Sequence, residues 1–134
     1  MNYQRGTETV LLVDDEESLR TVVVDLLSQL GYHVLSAGSG EQAINIANEY
    51  SGQIDLLLTD VVMDDLPGPE LAQKLLQSRP AMKVVFVSGF ADGSFAWDTI
   101  LKPGMALVQK PFSMKTLSAK LREILQTPGP ASSS

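Results

Sequence analysis

Five times along this chain a short apolar run gives way to a stretch whose apolar residues recur with helical spacing. That alternation is the pattern of βαβ units, and it commits the chain to a parallel sheet with helices on its faces. The first run, Thr9 to Val13, precedes Leu19, Val23, Leu26, Leu27 and Leu30, which share one helical stripe and stop at Gly31. Val34 to Ala37 reads as the second strand, and Ser39 with Gln42 has the spacing of a capping box for a helix running to about Tyr50. Ile54 to Thr59 is continuously apolar, as expected of a central strand covered on both faces, and it ends in Asp60. Pro69 suits the first turn of a helix carrying Leu71, Ala72, Leu75 and Leu76, which Pro80 then blocks. Lys83 to Val87 is the fourth strand, ending at Ser88 and Gly89, and Ser94 to Leu101 is a short helical stretch stopped by Pro103. Met105 to Gln109 is the fifth strand, after which Ser113 can cap a last helix with Leu117, Leu121, Ile124 and Leu125 inward.

A chain of 134 residues, 44% of them hydrophobic and 19% charged, has the size and composition of one globular domain. We place the folded domain at residues 9–126, preceded by a flexible leader or linker at 1–8 and followed by a disordered tail, TPGPASSS, at 127–134. A net charge of -6 argues against a surface that neutralises nucleic-acid phosphates. With no cysteine, disulfides, thiolate metal sites and a cysteine nucleophile are excluded. The apolar runs are strand-sized and nothing near Met1 has the apolar core of a signal peptide, so we expect a cytoplasmic domain with no membrane contact of its own.

Right-handed crossovers put the carboxyl ends of all parallel strands on one edge, where such folds bind their ligands. Asp14 and Asp15 follow strand one, Asp60 follows strand three, Ser88 strand four and Lys110 strand five. Singly, each has a plain reading as a turn former, a helix cap or a surface lysine. Jointly, three carboxylates on one edge repel one another unless a cation lies among them, and oxygen-only ligands favour Mg²⁺.

The set VDDE at Val13 to Glu16, TDVVM at Thr59 to Met63, VSG at Val87 to Gly89 and QKPF at Gln109 to Phe112 resembles the receiver domain of bacterial response regulators over Thr9 to Gln126. The resemblance implies a flavodoxin-like (βα)5 three-layer α/β sandwich with a five-stranded parallel sheet of order 2-1-3-4-5. It implies that Asp60 accepts a phosphoryl group from a histidine kinase phosphohistidine, in a domain that catalyses its own phosphorylation and dephosphorylation. Asp14, Asp15, Asp60 and the backbone carbonyl of Val62 would hold Mg²⁺, Lys110 would offset oxygen charge, and Ser88 would grasp the phosphoryl group once it is attached. Leu107 stands where an aromatic switch residue is common, and Pro111 would follow a cis peptide that aims Lys110. A proline common four residues after the acceptor is absent, since Asp64 and Asp65 fill the loop and Pro67 comes later. Val62 and Phe90, two residues beyond Asp60 and Ser88, cannot hydrogen-bond an attacking water, which predicts slow self-dephosphorylation.

Other readings are weaker. His33 begins strand two, away from Asp60, and reads as structural. Phe90, Phe95 and Trp97 divide between core packing and a partner-binding face. An aspartyl phosphatase of the haloacid dehalogenase type needs an acid two residues past its nucleophile, where this chain has Val62. A dinucleotide site is disfavoured because Gly38-Ser39-Gly40 does not follow strand one. GTETVLLVDDE, LKPGMALVQKPF and LREIL are similar to receivers at the carboxyl end of hybrid sensor histidine kinases, the alternative being a stand-alone response regulator. The donor would then be a kinase histidine in cis or in trans, and a histidine phosphotransfer protein a further partner.

Overall fold

The computed structural model describes residues 6–63, 65–89, 101–110 and 112–126. Along them run β1 (Thr9–Val13), α1 (Glu17–Gln29), β2 (His33–Ala37), α2 (Gly40–Glu49), β3 (Leu56–Asp60), α3 (Gly68–Ser78), β4 (Lys83–Ser88), β5 (Met105–Gln109) and α4 (Met114–Gln126). All neighbouring strands pair in parallel, in the order β2-β1-β3-β4-β5. This is the expected flavodoxin-like arrangement, and β1 and β3 lie at its centre. The short helical stretch expected from Ser94, and the Lys110-Pro111 peptide, fall outside the described residues, as do Phe90, Phe95 and Trp97.

Period-two alternation divides the core between the faces. Val10 and Leu12 of β1 pack with Leu56, Leu58, Val85 and Val87 under Val23 and Leu27 of α1 and Leu117, Leu121 and Ile124 of α4. Leu11 and Val13 point the other way, to Leu57, Val84 and Phe86 beneath Ala43 and Ala47 of α2 and Leu71 and Leu75 of α3. Burying a side chain such as Leu57 or Phe86 contributes about 1.5–3 kcal/mol, so the two layers supply the main driving force for folding.

Local signals end the helices largely as the sequence indicates. Gly31, at φ 104°, makes the left-handed turn after α1. Ser39 Oγ accepts from Gln42 N at 3.1 Å, but the Gln42 side chain reaches past the cap to accept from Gly38 N at 2.6 Å. Half of the expected capping box is therefore replaced by a clamp on the turn before it. Pro69 stands in the first turn of α3, and Ser113 Oγ accepts from Thr116 N at 3.0 Å at the start of α4. The third strand starts at Leu56 rather than Ile54, although Ile54 is buried. Leu125 is only half-buried, at the rim of its layer. His33 stacks on Tyr50, with ring centroids 6.1 Å apart, a packing role at the amino edge. No helix among the described residues is long and apolar enough to cross a membrane.

Candidate phosphoacceptor and metal site

Parallel strands deliver their carboxyl ends to one edge, and register decides which side chains meet there. Asp60 is the last residue of β3 and lies opposite Val87, while Ser88 pairs with Gln109. Lys110, just past β5, is fixed by its own N–H, which donates to Ser88 O at 2.7 Å. On the other side Asp14 N–H donates to Ala37 O at 3.1 Å, so the end of β1 is tied to that of β2. These backbone bonds set the strand ends side by side, and the side chains of Asp14, Asp15, Asp60 and Lys110 meet there.

Asp14, Asp15 and Asp60 each offer a carboxylate oxygen to a cluster in which all three lie within 4.8 Å of one another. Lys110 Nζ stands 3.3 Å from Asp60 Oδ2, with the two side chains 29% and 11% exposed. The pair is wet enough for a ligand to reach and dry enough for charge to matter. Burial pushes the Asp60 carboxyl up to about 6, Lys110 pulling it down and the Asp14 and Asp15 charges adding to the rise. Burial likewise raises Asp14, against the Glu16 N–H that donates to its Oδ1 at 2.9 Å. The turn-forming role of Asp14 thus coexists with its place in the cluster. Burial alone would lower Lys110, but Asp60 and then Asp14 outweigh it and hold its ammonium above the ordinary value.

Ser88 is buried at the end of β4, one residue beyond the partner of Asp60, and its hydroxyl donates to Gly89 O at 3.0 Å. Val62, two residues beyond Asp60, is 54% accessible and offers no acid to serve as the proton shuttle of an aspartyl phosphatase. Leu107 pairs with Phe86 and packs half-buried against the layer of α2 and α3. The oxygen-only trio fits a hard divalent cation: the donors are close, and Asp60 and Asp14 are both harder to ionise than usual. A cavity of about 450 Å³ opens elsewhere, between α3 and the edge of β4 and β5 beside Ala72, Leu76, Phe86 and Met105, and among the described residues no carboxylate cluster converges on it.

Three participants lay beyond sequence reasoning. Arg20 Nη1 donates to Asp14 O at 2.6 Å. Asp65 accepts from Gly40 N at 3.1 Å and Glu41 N at 2.9 Å, joining the loop after Asp60 to α2. Gly68 is needed because a Cβ there would lie 2.4 Å from Asp60 O. In the sequence Gly68 was marked as a small residue beside Pro67 and Pro69, and Asp65 as one of two acids in the loop, without its partners.

Comparison with known proteins agrees with this geometry. The family model described as response regulator receiver domain matches residues 10–122. The chain is 39% identical over 121 residues to Sensor kinase CckA of Brucella abortus, covering 90% of this chain and 13% of that protein. It is 31% identical over 116 residues to response regulator receiver protein CpdR of Brucella abortus, covering 87% of this chain and 95% of that one. Among solved structures, the receiver domain from hybrid histidine kinase CckA matches with a TM-score of 0.69 and 34% identity, covering 88% of this chain and 99% of that chain. A receiver domain protein from Clostridium thermocellum matches with a TM-score of 0.79 and 27% identity, covering 88% and 94%. Sheet order, edge chemistry and these likenesses converge: the chain belongs to the response regulator receiver domain family of two-component signalling.

Proposed function

We propose that Asp60 is the phosphoacceptor of this domain and takes its phosphoryl group from a phosphohistidine of a histidine kinase. The observation that carries the reading is the meeting of three carboxylates within 4.8 Å, with the Lys110 ammonium 3.3 Å from Asp60. An Asp60 oxygen attacks phosphorus, the bond from phosphorus to the donor imidazole nitrogen breaks, and an acyl phosphate is left on Asp60. Lys110 offsets charge gathering on the transferred oxygens. Asp14, Asp15, Asp60 and the carbonyl of Val62 would hold Mg²⁺, which when bound neutralises the site so that a dianionic phosphoryl group can approach. Ser88 then turns its hydroxyl from Gly89 O to the new phosphoryl oxygen, drawing the end of β4 with it. That exchange of partners is the conformational output, and Leu107 on the adjoining strand and Pro111 are the residues that would transmit it.

The likeness to CckA supports a receiver within a hybrid sensor kinase, with a donor histidine in cis or in trans and a histidine phosphotransfer protein as onward acceptor. The domain itself would work in the cytoplasm. The test is incubation with acetyl phosphate and Mg²⁺, read by intact mass. A single phosphoryl adduct that disappears on chelation before mixing and in Asp60→Asn is expected; an undiminished adduct in the variant removes Asp60 from its role.

A further inference from the structure

The loop leaving Asp60 has no proline before Pro67, at the edge of α3, and the stretch nearer the carboxylates is fastened by another residue. We propose that Asp65 is a positioning residue of the phosphorylation site, fastening the loop beyond Asp60 to the amino end of α2 and so fixing it relative to Asp14 and Asp15. The inference rests on the reading of the site given above.

The loop is pinned at two places. At its base Gly68 N–H donates to Val61 O at 2.8 Å, closing the segment on itself. At its far side both oxygens of Asp65 are used, Oδ1 by Gly40 N–H at 3.1 Å and Oδ2 by Glu41 N–H at 2.9 Å. Those are first-turn amides of α2 with no intrahelical acceptor, so a carboxylate from 24 and 25 residues away meets them and the helix dipole together. Bonds from Glu41 and Gly40 hold the Asp65 carboxyl below its ordinary value. Leu66 follows against Gly40, where a Cβ would meet Leu66 Cβ at 2.7 Å. Val62 lies between the two pinned points.

The other end of the tether leads back to the carboxylates. Gly38 N–H is held by Gln42 of α2, Ala37 O accepts from Asp14 N, and Arg20 donates to Asp14 O beside Gly38. A ring of contacts therefore runs from Asp14 through Ala37, α2 and Asp65 to the loop that starts at Asp60. Groups that must converge on one ion are aligned by such supporting bonds, and loss of one typically costs roughly tenfold or more in metal affinity.

Mg²⁺ titrated calorimetrically in 0.15 M salt, with amide exchange at Gly40 and Glu41 read in parallel, tests this on the wild type, D65A, D65N and E41Q. D65A should exchange both amides faster and bind Mg²⁺ about tenfold more weakly. D65N, which keeps one acceptor oxygen, should fall between and carries the test if D65A folds poorly. E41Q removes an equal charge from the same helix end but leaves its amide in place, and should stay within about twofold because exposed charges are screened. Wild-type affinity in D65A despite faster exchange would make Asp65 merely structural and overturn the proposal, as would equal weakening in E41Q. A wild type that takes no Mg²⁺ overturns both this inference and the reading of the site.

Discussion

At the carboxyl edge of the sheet three carboxylates share one hollow with the Lys110 ammonium, whereas at the amino edge Glu8 and Arg122 meet as a matched pair. The consequences are opposite in sign. Asp60 is pushed up to about 6, chiefly by burial, while the Arg122 hydrogen bond takes Glu8 down to about 2 against its own burial. Arg122 Nη1 also reaches Tyr32 Oη at 3.4 Å, and Gly6 N–H donates to Leu30 O, so residues read from sequence as the end of a leader run tightly along the domain. Arg79 adds a second clamp there, donating to the carbonyl of Ala47 in the last turn of α2 and to those of Tyr50 and Gly52 beyond it. One edge thus holds like charge that Lys110 only partly offsets, on a framework that the other edge holds shut. The proposed phosphorylation site needs the first property, because on that reading neutralisation by a cation and by chemistry would change its state; the fold tolerates it because the second is present.

The largest expected effect comes from the clamp. Arg122→Ala removes the partner of a half-buried carboxylate and the packing of its own stem, and should cost about 2 kcal/mol in urea unfolding. Adduct formation at Asp60 should proceed at the wild-type rate wherever the variant is folded. A tenfold slowing would show that the edges are coupled and break the comparison.

Next in size is Asp60→Asn studied without divalent ions. A carboxyl raised above 3.8 in the folded state binds its proton more tightly there. Its contribution is present below the unfolded value and is lost as pH rises through about 6. In EDTA at neutral pH the variant should therefore be more stable than the wild type by about 1–2 kcal/mol, after allowance for solvent screening and the lost Lys110 contact. Mg²⁺ should reverse the order if, as proposed, it is held by the folded wild-type site and not by the variant or the unfolded chain. Equal urea midpoints in EDTA would mean that the charge at this edge is already relieved.

What the sequence discloses of these two edges differs for a physical reason. The carboxyl edge was legible because strand ends are marked by periodicity and the parallel topology gathers them: Asp14, Asp15, Asp60 and Lys110 need no knowledge of distant partners to be placed together. The two layers of the core were legible on the same ground, down to the turn at Gly31. The amino-edge clamp was not, because Glu8 and Arg122 stand 114 residues apart and neither interrupts a pattern. Asp65 was noticed only as one of two acids filling the loop after Asp60, since its acceptor role depends on where α2 begins in space. Gln42 shows the limit at short range: its spacing announced a cap, but the bond it makes is with Gly38, one residue earlier than the motif prescribes.

The smallest effect is the most discriminating, because it sets the two edges against each other along one pH axis. Glu8 is lowered from 4.5 to about 2, so the folded state binds its proton less tightly than the unfolded chain. The stabilisation it brings is complete above 4.5 and is lost as pH falls through about 2. Glu8→Gln keeps an acceptor for Arg122 without the charge, and at pH 7 should lose about 1 kcal/mol, allowing for a side chain that solvent partly screens. Its stability curve should merge with that of the wild type near pH 2. In metal-free buffer the wild type should then gain stability as pH falls from 7 towards 4, where Asp60 takes up its proton, and lose it from 4.5 downward, where Glu8 does. Glu8→Gln should flatten only the acid limb and Asp60→Asn only the neutral one. A wild-type curve falling monotonically from pH 7 would contradict the opposite signs assigned to the two edges.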